Sequence, residues 1–188
     1  MKIHYSRYTF LTLCLTAVAM LVLEVAVFSG NGIAQSAGKE YTLKAAFIYN
    51  FTRYMQWDDA AADGDFIIGI IGDSDTQKPL EDIAAKRKVG DRTIKVVRFD
   101  AEEVIPVCHI VFIPAKHADR LQPTLAVLKS QPSLIVTEAP ESAQKGAAIN
   151  FVTIAGKVKF EMNITALERA DITVSSKLKN IAILVDEL

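Results

Sequence analysis

From Tyr41 onward, apolar side chains recur every three or four residues: Leu43, Phe47, Phe51, Tyr54 and Met55. That spacing lays one stripe on a 3.6-residue period and predicts a helix that stops near Trp57, with Lys44 and Arg53 off the stripe. Asp58-Asp59 and the small residues from Ala60 to Gly64 then open a loop. The pattern changes at Phe66. Phe66 to Ile71 is a short apolar run rich in β-branched residues and closed by Gly72-Asp73, the mark of a strand buried on both faces. Pro79 to about Lys88 reads as a short helix with proline in its first turn, Gly90-Asp91 as a turn, and Thr93 to Phe99 as a strand. Cys108 to Ile113 is a second continuous apolar strand, halted by Pro114. Ala118 to Leu128 follows as a helix with Leu121, Leu125 and Leu128 on one side, and Leu134 to Thr137 is another short strand.

Strands and helices that alternate in this way favour a parallel sheet with helices packed on it. The last third differs. Ala148 to Thr153 and Lys157 to Met162 flank Ala155-Gly156 and read as an antiparallel hairpin. Asn163 is placed to cap a helix running to Asp171, and Ser175-Ser176 to cap a final amphipathic segment, Leu178 to Val185. The expected fold is therefore α/β: a three-layer sandwich with a mainly parallel sheet, helices on both faces and a C-terminal antiparallel hairpin.

Ahead of this domain the chain reads as an export leader. Lys2 and Arg7 form a basic start, and Phe10 to Leu23 carries no formal charge. Small residues then surround Ala34 to Ala37, as a signal peptidase requires. The expected organisation is a signal peptide over 1–37 and a single domain over 38–188, in the periplasm. The alternative is an uncleaved anchor from Phe10 to Phe28, against which Glu24 weighs. Cleavage removes Lys2, Arg7 and Glu24, which moves the net charge one unit below the full chain's −1. Such a surface has no electrostatic reason to seek nucleic acid, and no polybasic block is present to hold anionic lipid. Cys14 leaves with the leader, so Cys108 alone remains and no internal disulfide can form.

Few residues suggest chemistry. Gly72, Asp73 and Asp75 sit where a buried strand ends, the position at which open α/β sheets bind ligands. They are candidate ligand-binding residues, although Gly69-x-x-Gly72-Asp73 is not a phosphate loop and reads equally as turn glycines with solvated acids. Cys108 and His109 are adjacent, so their side chains point to opposite faces and cannot form a nucleophile–base pair. Cys108 reads as core, and His117 as an exposed loop residue. No metal and no cofactor is expected, because neither histidine of the mature chain has a companion at ligand spacing. There is no Gly-x-Ser-x-Gly elbow, and Ser175-Ser176-Lys177, like Glu161 and Asn163, is read as helix capping. No catalytic residue is assigned. Tyr49, Phe51, Tyr54 and Trp57 are too many aromatics for one helix to bury, which makes Tyr49 and Trp57 candidate partner-binding residues.

Six blocks of the chain resemble a known family. Residues 41–57, YTLKAAFIYNFTRYMQW, are similar to the opening helix of the YfiR-like periplasmic proteins. Ile68 to Asp73, Cys108 to Ile113, Ile149 to Phe151, Val158 to Asn163 and Ile172 to Leu178 follow in the family's order. The resemblance implies an exported α/β domain that is not an enzyme. It implies that the domain inhibits an inner-membrane diguanylate cyclase by binding its periplasmic sensor region, coupling envelope signals to cyclic di-GMP. It further implies an outer-membrane lipoprotein as a sequestering partner; a homodimer is left open. Related domains occur as inputs to histidine kinases, so a small-molecule-binding sensor module working with a kinase or transporter is the alternative. Founding members use disulfides, and the lone Cys108 departs from that pattern.

Overall fold

The computed structural model describes residues 38–57, 64–100, 104–129 and 131–186. The chain divides into two units, 1–39 and 40–188; all but two of the first unit's residues, and with them the expected leader, lie outside the described residues. The second unit is one α/β layer structure. Helix α1, described over residues 38–54, leads into β1 (Met55–Trp57), β2 (Phe66–Ile71), α2 (Gln77–Ala84), β3 (Lys88–Val89), β4 (Arg92–Phe99) and β5 (Ile110–Ile113). A 3₁₀ segment (Ala115–Arg120) then precedes α3 (Leu121–Val127), β6 (Leu134–Thr137), β7 (Ile149–Ile154) and β8 (Lys157–Asn163). The chain finishes with α4 (Ile164–Arg169), β9 (Ile172–Val174), α5 (Ser176–Lys179) and β10 (Ile183–Val185).

Eight strands form one sheet in the order β10-β8-β7-β6-β5-β2-β4-β3. Its centre, from β4 through β2, β5 and β6 to β7, is parallel. β7 and β8 make the expected antiparallel hairpin, turning on Ala155 and Gly156, both at positive φ as the favoured two-residue hairpin turn demands. The other edge is blunted by β3, two residues long and antiparallel to β4.

Strand pleating divides the core in two. Phe66, Ile68 and Ile70 of β2, Ile110 and Phe112 of β5, and Ile149 and Phe151 of β7 point to the face covered by α1, α2 and α4. Ile67 and Ile71, Val111 and Ile113, and Ile135 point to the other face, against Leu121, Leu125 and Leu128 of the α3 region. Phe47, Phe51, Phe151 and Phe160 join α1 to the hairpin, with ring centroids 5.4–6.5 Å apart. Among the described residues, no helix is long and apolar enough to cross a membrane.

Several elements differ from the reading of the pattern. The first helix stops at residue 54, and Met55–Trp57 pairs as a strand with Ile172–Val174, a stretch the pattern leaves unassigned. The helix also buries a shifted stripe: Lys44, Ala45, Ile48, Phe51 and Thr52 face inward, whereas Leu43 and Tyr54 are 43% and 38% exposed. Residues 115–120 tighten into 3₁₀ turns, with His117 outside helical geometry, so the regular helix begins only at Leu121. The final segment is one short capped turn followed by β10, which runs parallel to β8.

Candidate functional site

Parallel strands bring their carboxyl ends to one rim of the sheet, and the residues just beyond them gather there. Gly72 follows β2 at φ +65°, and its N–H donates to the Phe99 carbonyl (2.7 Å). A Cβ on it would lie 2.1 Å from His117 Nε2, so the imidazole rests directly on the glycine backbone. His117 is thus half-buried against Gly72, not the freely exposed loop residue expected. Asp73 and Asp75 are exposed at this rim; Asp73 Oδ1 accepts from Arg98 Nη1 (2.6 Å). Their carboxylates face water and, in the case of Asp75, the neighbouring Tyr41. The Tyr41 hydroxyl has its pKa raised first by burial and then by the negative charges of Glu138 and Asp75.

Beside them lies an ionic cluster that sequence reasoning missed. Lys44 Nζ donates to Glu138 Oε2 and pairs with Glu40 Oε1, both at 2.7 Å, and stands 5.2 Å from the Tyr41 ring centre. Glu138 Oε1 also accepts from the Ala115 N–H (3.2 Å). Burial alone would lower the Lys44 pKa, but its hydrogen bonds to Glu138 and Glu40 outweigh this and raise it. The cluster ties α1 to the segments leaving β5 and β6. Its only sequence signal is a lysine between Leu43 and Ala45, which periodicity alone places on the outside.

Below this rim the sheet carries two further polar devices. Thr137 Oγ1 donates to Asn150 Oδ1 and Asn150 Nδ2 to Glu161 Oε2, each at 2.9 Å, linking β6, β7 and β8. Glu161 therefore serves this ladder rather than a helix cap. Asn163 does cap α4, accepting from the Ala166 N–H (2.9 Å) while donating to the Ala143 carbonyl (2.8 Å). Ser175 likewise accepts from the Leu178 N–H (3.4 Å).

Cys108 and His109 do point to opposite faces. Cys108 is buried against the α3 side, and burial pushes its thiol up to about 11. His109 stacks on Phe66 at 4.4 Å; its Nδ1 accepts from the Ile67 N–H (3.0 Å), and its Nε2 lies 2.7 Å from Arg92 Nη2. Arg92 also donates to the carbonyls of Gly64 and Asp65, closing the loop ahead of β2. Trp57 packs edge-on against Phe66 (5.4 Å) and donates its indole N–H to the His109 carbonyl (3.0 Å). Trp57 and Tyr49 are both half-buried and packed against the main core.

Several of the side chains left exposed near α1 are apolar. Leu43 and Tyr54 project from the outer face of α1, and Phe47, Asn50 and Tyr54 line a shallow cleft of about 250 Å³ together with Lys177, Leu178 and Ile181. Ile181 is 62% exposed. Leu43 lies one helical turn from Phe47, so these groups form one continuous band.

A family model described as DUF4154, YfiR/HmsC-like, matches residues 41–183, close to the whole of the described unit. Comparison with curated proteins returns no match.

Proposed function

As the chain belongs to the YfiR/HmsC-like family, we propose that it is a non-catalytic periplasmic regulator that binds the sensor region of an inner-membrane diguanylate cyclase and holds the cyclase inactive. In this reading residues 1–37 are the leader and 38–188 the mature domain. An outer-membrane lipoprotein that captures the domain relieves the inhibition and lets cyclic di-GMP rise.

The observation that carries the reading is the outward-facing part of the α1 stripe. An exposed apolar band on a folded domain is the usual mark of a protein partner. Leu43, Tyr54 and Ile181 supply that band, with Tyr49 and Trp57 as flanking aromatics whose outer edges a partner can still reach. The rim near Gly72 offers less, because His117 and the Lys44–Glu138 pair already occupy it with the protein's own groups.

The test is genetic and biochemical. Deleting the gene raises cyclic di-GMP only while its cyclase partner is intact, and the purified domain binds the periplasmic region of that cyclase. Unchanged cyclic di-GMP under envelope stress, together with no binding, rejects the proposal. N-terminal sequencing of the periplasmic form checks the leader: a start near residue 38 is expected, and recovery of the intact chain from the cytosol contradicts export.

A further inference from the structure

A second cleft opens at the opposite rim of the sheet, where β6 and β7 begin, between the end of α3 and α4. Its volume is about 330 Å³, at the lower end of the range for small-molecule sites. Leu125, Leu128 and Ile135 provide an apolar wall, and Ala126, Ala166 and Ala170 leave the space open by being small. Lys129, Lys145 and Arg169 line the same cleft, and no Asp or Glu is among its lining residues. A chain whose net charge is −1 thus collects three cations around one apolar hollow.

The wall is held in place before any ligand arrives. Gln122 Nε2 donates to the Lys145 carbonyl (2.8 Å), which fastens the turn carrying Lys145 to α3. The Lys145 ammonium pairs with Glu141 (3.0 Å), but both side chains are more than half exposed. An exposed pair of this kind contributes little, so the ammonium can turn to an incoming anion at small cost.

We propose that this cleft binds a small amphiphilic anion, its short apolar tail against Leu125, Leu128 and Ile135 and its charged head among Lys129, Lys145 and Arg169. Arginine presents a planar fork suited to carboxylate or phosphate oxygens, and the two lysines add point charges. A neutral tail alone would not need the cations, and a bare anion would not need the wall. The site stands apart from the outer face of α1 and does not depend on the cyclase reading.

Titration of the purified chain with octanoate and octyl phosphate tests it, with 1-octanol, acetate and inorganic phosphate as controls. At least one octyl anion binds, identifying the preferred head group, and every control binds at least about tenfold more weakly. Lys129→Gln with Arg169→Gln weakens binding by about tenfold or more without changing the far-UV circular dichroism. Ala126→Leu, at an exposed helical position, blocks the cleft by bulk and provides an independent variant should the double substitution fold poorly. The proposal is overturned if neither octyl anion binds at ~1 mM. It also fails if 1-octanol or a bare anion binds as tightly, or if the folded variants retain full affinity.

Discussion

Lys44 has its ammonium in a place that leaves only 8% of its side chain exposed, between two carboxylates of which Glu138 is itself 10% exposed. Removing one partner of such a pair strands the other, at a cost of about 3 kcal/mol. Lys44→Met is therefore expected to lower stability by about that much in urea unfolding, with Glu138→Leu in the same chain recovering most of it. A loss no larger than a typical surface change would show that the pair is merely decorative. The pH dependence follows from the raised pKa. The pair's contribution is complete below 10.5, the lysine's ordinary value, and is lost as alkali titrates the folded group above it. Cys108 acts at a lower pH. Its unfolded thiol ionises near 9.0 and its folded thiol near 11, so between these values the unfolded chain sheds a proton that the native one keeps. Stability then falls by roughly 2–3 kcal/mol across the window. Cys108→Ala flattens that slope, and iodoacetamide labels native Cys108 slowly at pH 8 but rapidly in urea. Fast native labelling would contradict the buried, protonated thiol.

At the scale of elements, Asn163 joins a strand to a helix through two hydrogen bonds, and each can be removed separately. Asn163→Ala forfeits the cap and leaves the Ala143 carbonyl unpaired, for about 2 kcal/mol in all; Asn163→Asp keeps the cap and loses less. Equal losses in both variants would place the stabilisation in the Ala143 contact alone. This cap was legible because an asparagine between a strand and a helical stretch has few other uses. The central strands were legible for a related reason: FIIGII and LIVT are buried on both faces and are apolar at every position but Thr137, whose hydroxyl is hydrogen-bonded. β1, β9 and β10 were not, since three residues are too few to display an alternation. The outward turn of Leu43 and Tyr54 was hidden as well. Periodicity finds a stripe on a helix, but it cannot tell an apolar residue facing the core from one facing a partner, and a lysine sealed by a carboxylate as distant in sequence as Glu138 looks like a surface residue. Of the candidate ligand residues, Gly72 showed its turn in sequence, whereas the imidazole resting on it comes from a segment 45 residues further on.

For the whole molecule, the functional claim rests on a surface and not on a reaction centre, and it is tested by changes that spare the fold. Tyr54→Asp and Ile181→Asp lie at exposed positions and should leave thermal stability within about 0.5 kcal/mol of the parent. Each should weaken binding to the cyclase sensor region by about tenfold or more, as loss of an apolar anchor does, and derepress cyclic di-GMP in cells. Full repression by both variants would move the contact to another face of the domain.

The ribbon of β1 and β9 sets the order in which this molecule can be completed. Met55 meets Val174 and Trp57 meets Ile172, so the end of the first helix is anchored by almost the last residues of the unit. A chain emerging amino end first must keep Phe47, Phe51 and Met55 waiting until nearly all of it is available, and pairing over such a separation is slow. Newly made polypeptide is therefore expected to leave the β1–β9 ribbon unpaired until elongation is nearly over, a state that suits the export we propose.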